Sequence, residues 1–438
     1  MLKKQLLTLL TFFILTNLHS QSNFRLINNI KKETVKFKLI NNLIIIPVKI
    51  NGKDLNFLLD TGVSHSILFN VSANDSLKLR DAKKIKIKGL GNGKQFNAYE
   101  SKNNLFRLKN IVSPNFRLLI ILDEEFDFSS RLGIDVHGII GSDLFENFTV
   151  KVNYSYRKLE FYNPDLYVYE KCKKCQDFPL VFQGKKPYIH SLISSKDKMT
   201  PVKLLIDSGS SDSIWLHEES KDEIQIPDKF YKDFLGKGLS GNIFGKKAKL
   251  KKLEIGSFNF ENMIAVYPDS SSFNYNNLKY KRDGVLGGEI LKRFHIIYDY
   301  KHKKVTFKKN RKYYKSIFYY DKSGMDIIHD GKVLIKKYNP KIIVKTNSVG
   351  SVTEEVAMYN YSFENSFIIS NIKKDSPAYK AGLKEGDVII KLNYNAVYNL
   401  NLQELNSKLS GNEGKRIHLK VERNGVVLKF KFKLIDFL

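Results

Sequence analysis

Two aspartates lie 147 residues apart in near-identical settings. One closes the run Leu55-Asn-Phe-Leu-Leu-Asp60-Thr61-Gly62-Val63-Ser-His-Ser66-Ile67, the other Val202-Lys-Leu-Leu-Ile-Asp207-Ser208-Gly209-Ser210-Ser-Asp-Ser213-Ile214. An apolar strand anchors the base of such a carboxylate, and the following glycine lets the chain turn sharply so that backbone N–H groups face it. The hydroxyl of Thr61 or Ser208 can hold the turn by a side-chain hydrogen bond. If two such loops meet about a two-fold axis, the carboxylates cannot both ionise easily and share one proton. The charged member then activates a water and the protonated member polarises a carbonyl. Such a pair titrates as a unit. Other hydrolytic chemistries find no support: the nine histidines form no His-Glu-x-x-His, and no Gly-x-Ser-x-Gly occurs. The chemistry calls for no metal and no organic cofactor.

The elements that would position this pair are themselves repeated. Gly138-Ile139-Ile140-Gly141-Ser142-Asp143, closing with Asn153-Tyr154, matches Gly284-Val285-Leu286-Gly287-Gly288-Glu289, closing with Asp299-Tyr300. Gly141 follows Asp60 by 81 residues and Gly287 follows Asp207 by 80, so the same ordered motifs recur at nearly the same spacing. Within each half the pattern is mostly β. Strands are expected at 43–50 and 55–59 around the hairpin turn Asn51-Gly52, then at 84–88, 116–122, 149–152 and 158–162. Short helices are expected only after Ser142 and Gly288. The fold class is mainly β: a duplicated bilobed body with a smaller C-terminal module.

Asp60-Thr-Gly and Asp207-Ser-Gly, each followed by an apolar-apolar-Gly segment, resemble the pepsin and retropepsin aspartic proteases over residues 40–308. The resemblance implies an acid-protease-like body in which Asp60 and Asp207 are the catalytic pair and Thr61 and Ser208 tie the two loops together. Gly62, Gly209 and Ser210 complete the supporting loops, with the apolar-apolar-Gly segments behind them. Gly89-Leu-Gly91-Asn-Gly93 and Gly236-Lys-Gly238-Leu-Ser-Gly241 each begin 29 residues after their aspartate and suit mobile hairpins closing over an extended polypeptide. Ordinary surface hairpins are the plainer reading of both; neither fits a phosphate-binding loop. One position breaks the symmetry: Val63 stands where the second half has Ser210. A serine there can donate to the outer carboxylate oxygen and favour ionisation, so Asp207 is expected to be the more acidic member and Asp60 to hold the shared proton.

With 438 residues, a prior of roughly 100–200 residues per domain allows two to four domains. Apolar residues at 42% and only 10 prolines exclude a largely disordered chain. Lys3-Lys4 before the apolar run Leu6–Leu15, ending near Ser20, has the parts of a secretory signal peptide and is too short for a membrane span. The expectation is an exported protein, periplasmic or secreted, without a stable span. Cys172 and Cys175 lack the further ligands a zinc site needs and read as a local staple or free thiols. Eight of the fifteen residues from Lys301 to Lys315 are basic. They read as a solvated strand and connector rather than a nucleic-acid surface, and no nucleic-acid partner is expected.

Beyond the connector, Ser376-Pro-Ala-Tyr-Lys-Ala-Gly-Leu-Lys-Glu-Gly386-Asp387-Val-Ile resembles the PDZ domains of exported bacterial proteases. This implies a β-sandwich with two helices, one begun at Ser376 and one over Leu402–Leu409, and a peptide ligand as its partner. Ser323-Gly324-Met325 is a candidate for the first strand, leaving an insertion near 333–362. No Gly-Leu-Gly-Phe-like loop directly precedes Phe367, so a structural or autoregulatory role stands beside peptide capture. The expected domains are a signal peptide (1–20), two protease lobes (21–165 and 166–310) and a PDZ domain (323–438, core 363–438), acting as a monomer. The function expected is an aspartic endopeptidase; the alternative is a non-catalytic scaffold that recognises peptides with the same parts.

Overall fold

The computed structural model describes residues 23–69, 77–87, 95–122, 128–195, 198–238, 241–339, 341–348 and 350–438. The expected signal peptide and the first glycine-rich stretch, Gly89–Gly93, lie outside the described residues.

In the first half, β1 (Arg25–Leu26), β2 (Lys32–Lys36) and β3 (Lys38–Ile40) lead into the hairpin of β4 (Leu43–Ile50) and β5 (Lys53–Leu59). Asn51 (φ 49°) and Gly52 (φ 88°) turn that hairpin, a left-handed pair whose twist suits the flanking strands. Next come β6 (Ile67–Leu68), β7 (Lys83–Ile87), β8 (Phe96–Leu108), β9 (Ile111–Ile120), helix α1 (Ser129–Leu132), β10 (Gly138–Ile140), helix α2 (Asp143–Glu146), β11 (Thr149–Asn153) and β12 (Lys158–Tyr162). The expected strand at 116–122 begins earlier, at Ile111, and ends at Ile120. It accommodates Pro114 because pairing with β8 is irregular there: the register shifts between Asn104↔Phe116 and Phe106↔Ser113, so no ladder bond requires the missing proline N–H.

The second half repeats the order. β13 (Cys175–Pro179), β14 (Val181–Gln183), β15 (Lys186–Ser194), β16 (Thr200–Ile206), β17 (Ile214–Leu216), β18 (Phe230–Gly238), β19 (Gly241–Ile255) and β20 (Phe258–Pro268) precede β21 (Gly284–Leu286), helix α3 (Gly288–Leu291), β22 (Phe294–Asp299) and β23 (Lys304–Lys309). In both halves the apolar-apolar-Gly strand runs parallel to the strand that ends in aspartate, with Ile139 opposite Leu58 and Val285 opposite Leu205.

A six-stranded sheet, β13-β23-β22-β11-β12-β2, takes three strands from each half. At its centre Val150 pairs with Tyr298 and Val152 with Ile296. Tyr298 is the repeat counterpart of Val152, and Ile296 of Val150. Such reciprocal pairing marks a pseudo-two-fold axis through the sheet. The buried apolar side chains of the two halves merge into one cluster above it. Cys172 and Cys175 are joined by a disulfide in the connection before β13. The basic stretch ends against the core: the buried Arg293 guanidinium donates to the carbonyls of Tyr313, Tyr314 and Ser316.

The C-terminal module has its own core. β24 (Met325–Tyr338) begins at the expected Met325 and pairs along its length with β27 (Tyr359–Ile372); β25 (Lys341–Asn347) and β26 (Gly350–Val356) pair with each other between them. Helix α4 (Pro377–Lys380) starts at Ser376, whose hydroxyl accepts from the Tyr379 N–H. After β28 (Val388–Leu392) and β29 (Asn395–Ala396), helix α5 (Leu402–Leu409) opens with a capping box between Asn401 and Glu404. β30 (Arg416–Arg423) and β31 (Val426–Lys433) close the sheet. Arg423 grips the buried Asp387 with two bonds of 2.6 and 2.7 Å. Among the described residues no helix is long and apolar enough to cross a membrane.

Candidate active site

β5 and β16 deliver Asp60 and Asp207 to the same place from opposite sides of the pseudo-axis. Each aspartate N–H donates to the neighbouring apolar strand, Asp60 to Ile140 O and Asp207 to Leu286 O, both at 3.0 Å. Each carboxylate then accepts from the glycine two residues on, Gly62 N at 2.6 Å and Gly209 N at 2.9 Å. The intervening hydroxyls cross between the halves. Thr61 Oγ1 donates to Ile206 O (2.7 Å) and accepts from Ser208 N (3.0 Å); Ser208 Oγ donates to Leu59 O (2.8 Å) and accepts from Thr61 N (3.1 Å). These four bonds lock the loops face to face. A Cβ at Gly62 would lie 2.6 Å from the Asp207 carboxylate carbon, and one at Gly209 would collide with the Asp60 carboxylate. Each glycine is therefore needed for the close approach of the opposite acid.

The two acids are not equivalent. Asp60 is 7% exposed and Asp207 is more open. Burial first, and the Asp207 charge second, push the Asp60 carboxyl well above the usual carboxylate range, against the pull of the Gly62 N–H and of Lys186. Burial thus favours the proton on Asp60, the direction expected from the sequence but with a different cause. Ser210 Oγ is buried without a hydrogen-bond partner, so the expected bond to Asp207 is absent. Ser210 contributes its backbone instead, its carbonyl accepting from Gly288 N at 2.6 Å. The asymmetry arises from burial, a tertiary property that the Val63/Ser210 difference does not report.

A cleft of about 1620 Å³ passes over the pair. The second glycine-rich stretch borders it: Gly236 and Gly238 end β18, Gly241 opens β19, and Phe234, Leu235 and Ile243 of this hairpin face the space. The C-terminal module also borders it, through Asp326 and Ile327 of β24 and Gln403 and Ser407 of α5. This module is clamped to the hairpin. Asp233 of β18 lies between Lys247 (2.9 Å) and Lys373 (3.2 Å), and Lys373 also reaches Asp321 and Asp326, each at 3.9 Å. Burial opposes charge on Asp233, yet Lys247 and then Lys373 hold its pKa below the usual value. Helix α1 of the first half packs against β24, and Arg131 lies 4.2 Å over the Phe234 ring.

Sequence reasoning brought Asp60, Thr61, Gly62, Asp207, Ser208 and Gly209 to one site. It missed the module's share of the cleft wall, which depends on packing between distant segments and leaves no local signal. It also missed Lys186 and Arg282, which line the cleft in the second half. Their signal was present in the repeat, as an exchange of residue type at matched positions.

A family model described as aspartyl protease matches residues 46–144 and again 194–290, and one described as PDZ domain matches residues 368–423. The chain thus carries an aspartyl protease domain and a C-terminal PDZ domain. No curated protein matches the chain. Among solved structures, the crystal structure of the aspartic proteinase from Irpex lacteus is 12% identical with a TM-score of 0.42, over 66% of this chain and 99% of that one.

Proposed function

We propose that this chain, with its aspartyl protease and PDZ domains, is an endopeptidase that hydrolyses extended polypeptides through Asp60 and Asp207. The observation that carries the reading is the reciprocal hydrogen bonding of Thr61 and Ser208, which holds two carboxyl groups against each other at the floor of a peptide-sized cleft. In the ground state Asp60 carries the proton and Asp207 the charge. Asp207 takes a proton from water as its oxygen attacks the scissile carbonyl, while Asp60 gives its proton to the carbonyl oxygen. The resulting tetrahedral diol collapses as its C–N bond breaks, and the leaving nitrogen takes the proton held by Asp207. One diol hydroxyl returns a proton to Asp60, and the acid and the amine leave. The module that borders the cleft is a peptide-binding domain by family, which suits delivery of chains to the same opening. The reading includes export, on the strength of Lys3-Lys4 and the apolar run Leu6–Leu15, and lobes divided near residue 165.

The test is cleavage of a mixed peptide library by residues 21–438 between pH 3 and 8. Wild-type protein is expected to cut with a bell-shaped pH profile, since one proton on the pair is required, and Asp207→Asn is expected to be inert. Equal cleavage by both would remove the pair from the mechanism. Peptide binding without cleavage at any pH would favour a scaffold.

A further inference from the structure

The two walls of the cleft differ in chemistry at matched positions. Leu43 follows the β3–β4 turn opposite Ile40, and Lys186 follows the β14–β15 turn opposite Gln183, so Lys186 is the counterpart of Leu43. Arg282 precedes Gly284 as Val136 precedes Gly138, so Arg282 is the counterpart of Val136. In the first half Leu43 and Val136 belong to an apolar cluster with Leu58, Ile67, Phe69 and Ile139. In the second half the corresponding place holds two cations beside Tyr188, Leu205, Val285 and Trp215.

Among the described residues, neither cation has a carboxylate of the protein in direct contact. Arg282 is 5% exposed, and its Nε is buried without a hydrogen-bond partner. Among the described residues neither Arg282 nor Lys186 forms an ion pair. The nearby carboxylates are engaged elsewhere: Asp283 accepts from Lys203 N (2.7 Å) and pairs with Lys221 (3.1 Å), and Asp212 accepts from Trp215 Nε1 (2.8 Å). Arg282 also neighbours His217, which burial and that guanidinium keep neutral. Burial and then Arg282 weaken the hold of Lys186 on its proton, while Asp207 and Asp60 strengthen it. Two cations set into one wall with no directly paired carboxylate, one of them buried, are costly, and the aspartate pair offsets this only from a distance. A ligand carboxylate entering the cleft would add a charge in contact and accept their N–H bonds.

We propose that Lys186 and Arg282 form an anionic subsite that binds a carboxylate of the peptide substrate, while the matched pocket around Leu43 and Val136 takes an apolar side chain across the scissile bond. This rests on the reading of the cleft as a peptide-cleaving site and names the substrate it selects: an apolar residue on one side of the cut and Asp or Glu on the other. The carboxylate has two sources, an acidic side chain within the chain or the terminal carboxylate of a peptide.

The test uses peptide pairs at pH 6, where glutamate is ionised. One pair differs only as Glu against Gln beside the scissile bond, and a second carries a C-terminal carboxylate against a C-terminal amide. A charge-assisted bond predicts that wild-type kcat/KM for one carboxylate member exceeds its neutral partner by about tenfold to a hundredfold. Preference in the first pair identifies the side chain, and preference in the second the chain end. Lys186→Leu, which installs the residue the first half already tolerates, is expected to bring that ratio towards one; the ratio is taken within the variant, so any change in overall rate from losing a charge near Asp60 acts on both peptides alike. Arg282→Val should do the same. Equal cleavage of both members in both pairs overturns the proposal while leaving proteolysis intact. Should no peptide be cut, the subsite is read by binding instead, through Trp215, the single tryptophan of the chain. Tighter binding of a carboxylate peptide, lost in Lys186→Leu, sustains the subsite without the protease; equal binding overturns it.

Discussion

Removing the Ser208 hydroxyl tests the joint on which the site depends. Ser208→Ala deletes an oxygen that accepts from Thr61 N and donates to Leu59 O across the pseudo-axis. Both partners are buried, Thr61 fully so. Each buried group left without a partner costs about 1–3 kcal/mol, so the substitution is expected to destabilise by about 2–6 kcal/mol. Thr61→Val, which keeps the shape and deletes the matching oxygen, should cost a similar amount, because Ser208 N and Ile206 O lose the same kind of partner. The double variant should cost less than the sum: each oxygen accepts from the other residue's N–H, so the second deletion finds the joint already broken. The coupling expected for residues in one network is about 0.5–3 kcal/mol. Urea unfolding of the four proteins measures all three quantities, and Thr61→Ser, which retains the hydroxyl, serves as the control. Losses below about 0.5 kcal/mol for both single variants, the range of an ordinary surface change, would show that the crossed hydroxyls do not hold the lobes together.

The raised pKa of Asp60 has a sign. A group that binds its proton more tightly when folded contributes stability that is present below its unfolded pKa and lost as pH rises through its folded value. Asp60→Asn, which never ionises, should therefore gain in melting temperature relative to wild type between pH 4 and pH 7.5; an unchanged difference would argue against the burial and charge given above as the cause. Because Ser210 Oγ makes no hydrogen bond, Ser210→Ala should leave the pH profile of cleavage in place, and a clear alkaline or acid displacement would show a bond that forms with substrate. Lys373→Met strips one of two cations from the buried Asp233 while Lys247 stays paired with it, so the loss should fall below the ~3–5 kcal/mol of a buried charge left wholly unpaired. Its first sign should be faster hydrogen exchange in β18, and unchanged exchange there would separate the PDZ domain from the hairpin.

What the sequence disclosed follows from how locally each feature is determined. The turn Asn51-Gly52 needs only its own left-handed backbone, and it adopts it. Helix α5 needs Asn401, Glu404 and the spacing of Leu402, Leu405 and Leu409, and it spans the expected residues. The meeting of Asp60 and Asp207 is long-range, yet it was legible because the duplication wrote each half of the joint in the same letters. Helix α1 was not foreseen: it is four residues long, and Phe128, its N-cap, makes no capping bond. The orientation of Ser210 and the seat of the PDZ domain over the cleft depend on packing between segments far apart in the chain. No stretch of residues records them.

The six-stranded sheet shared by the lobes also bears on molecularity. Two aspartates contributed by separate subunits would meet only as often as association allows, and activity would fall on dilution. Here one polypeptide supplies β11 and β22, and their pairing fixes the encounter at an effective concentration set by covalent linkage. Turnover per molecule should then be indifferent to how thinly the protein is spread. The same linkage frees the chain from an obligation of identical subunits, which must write every substitution twice. A change such as leucine to lysine can be made on one wall alone, and a site built about a two-fold axis gains a direction in which to read its substrate.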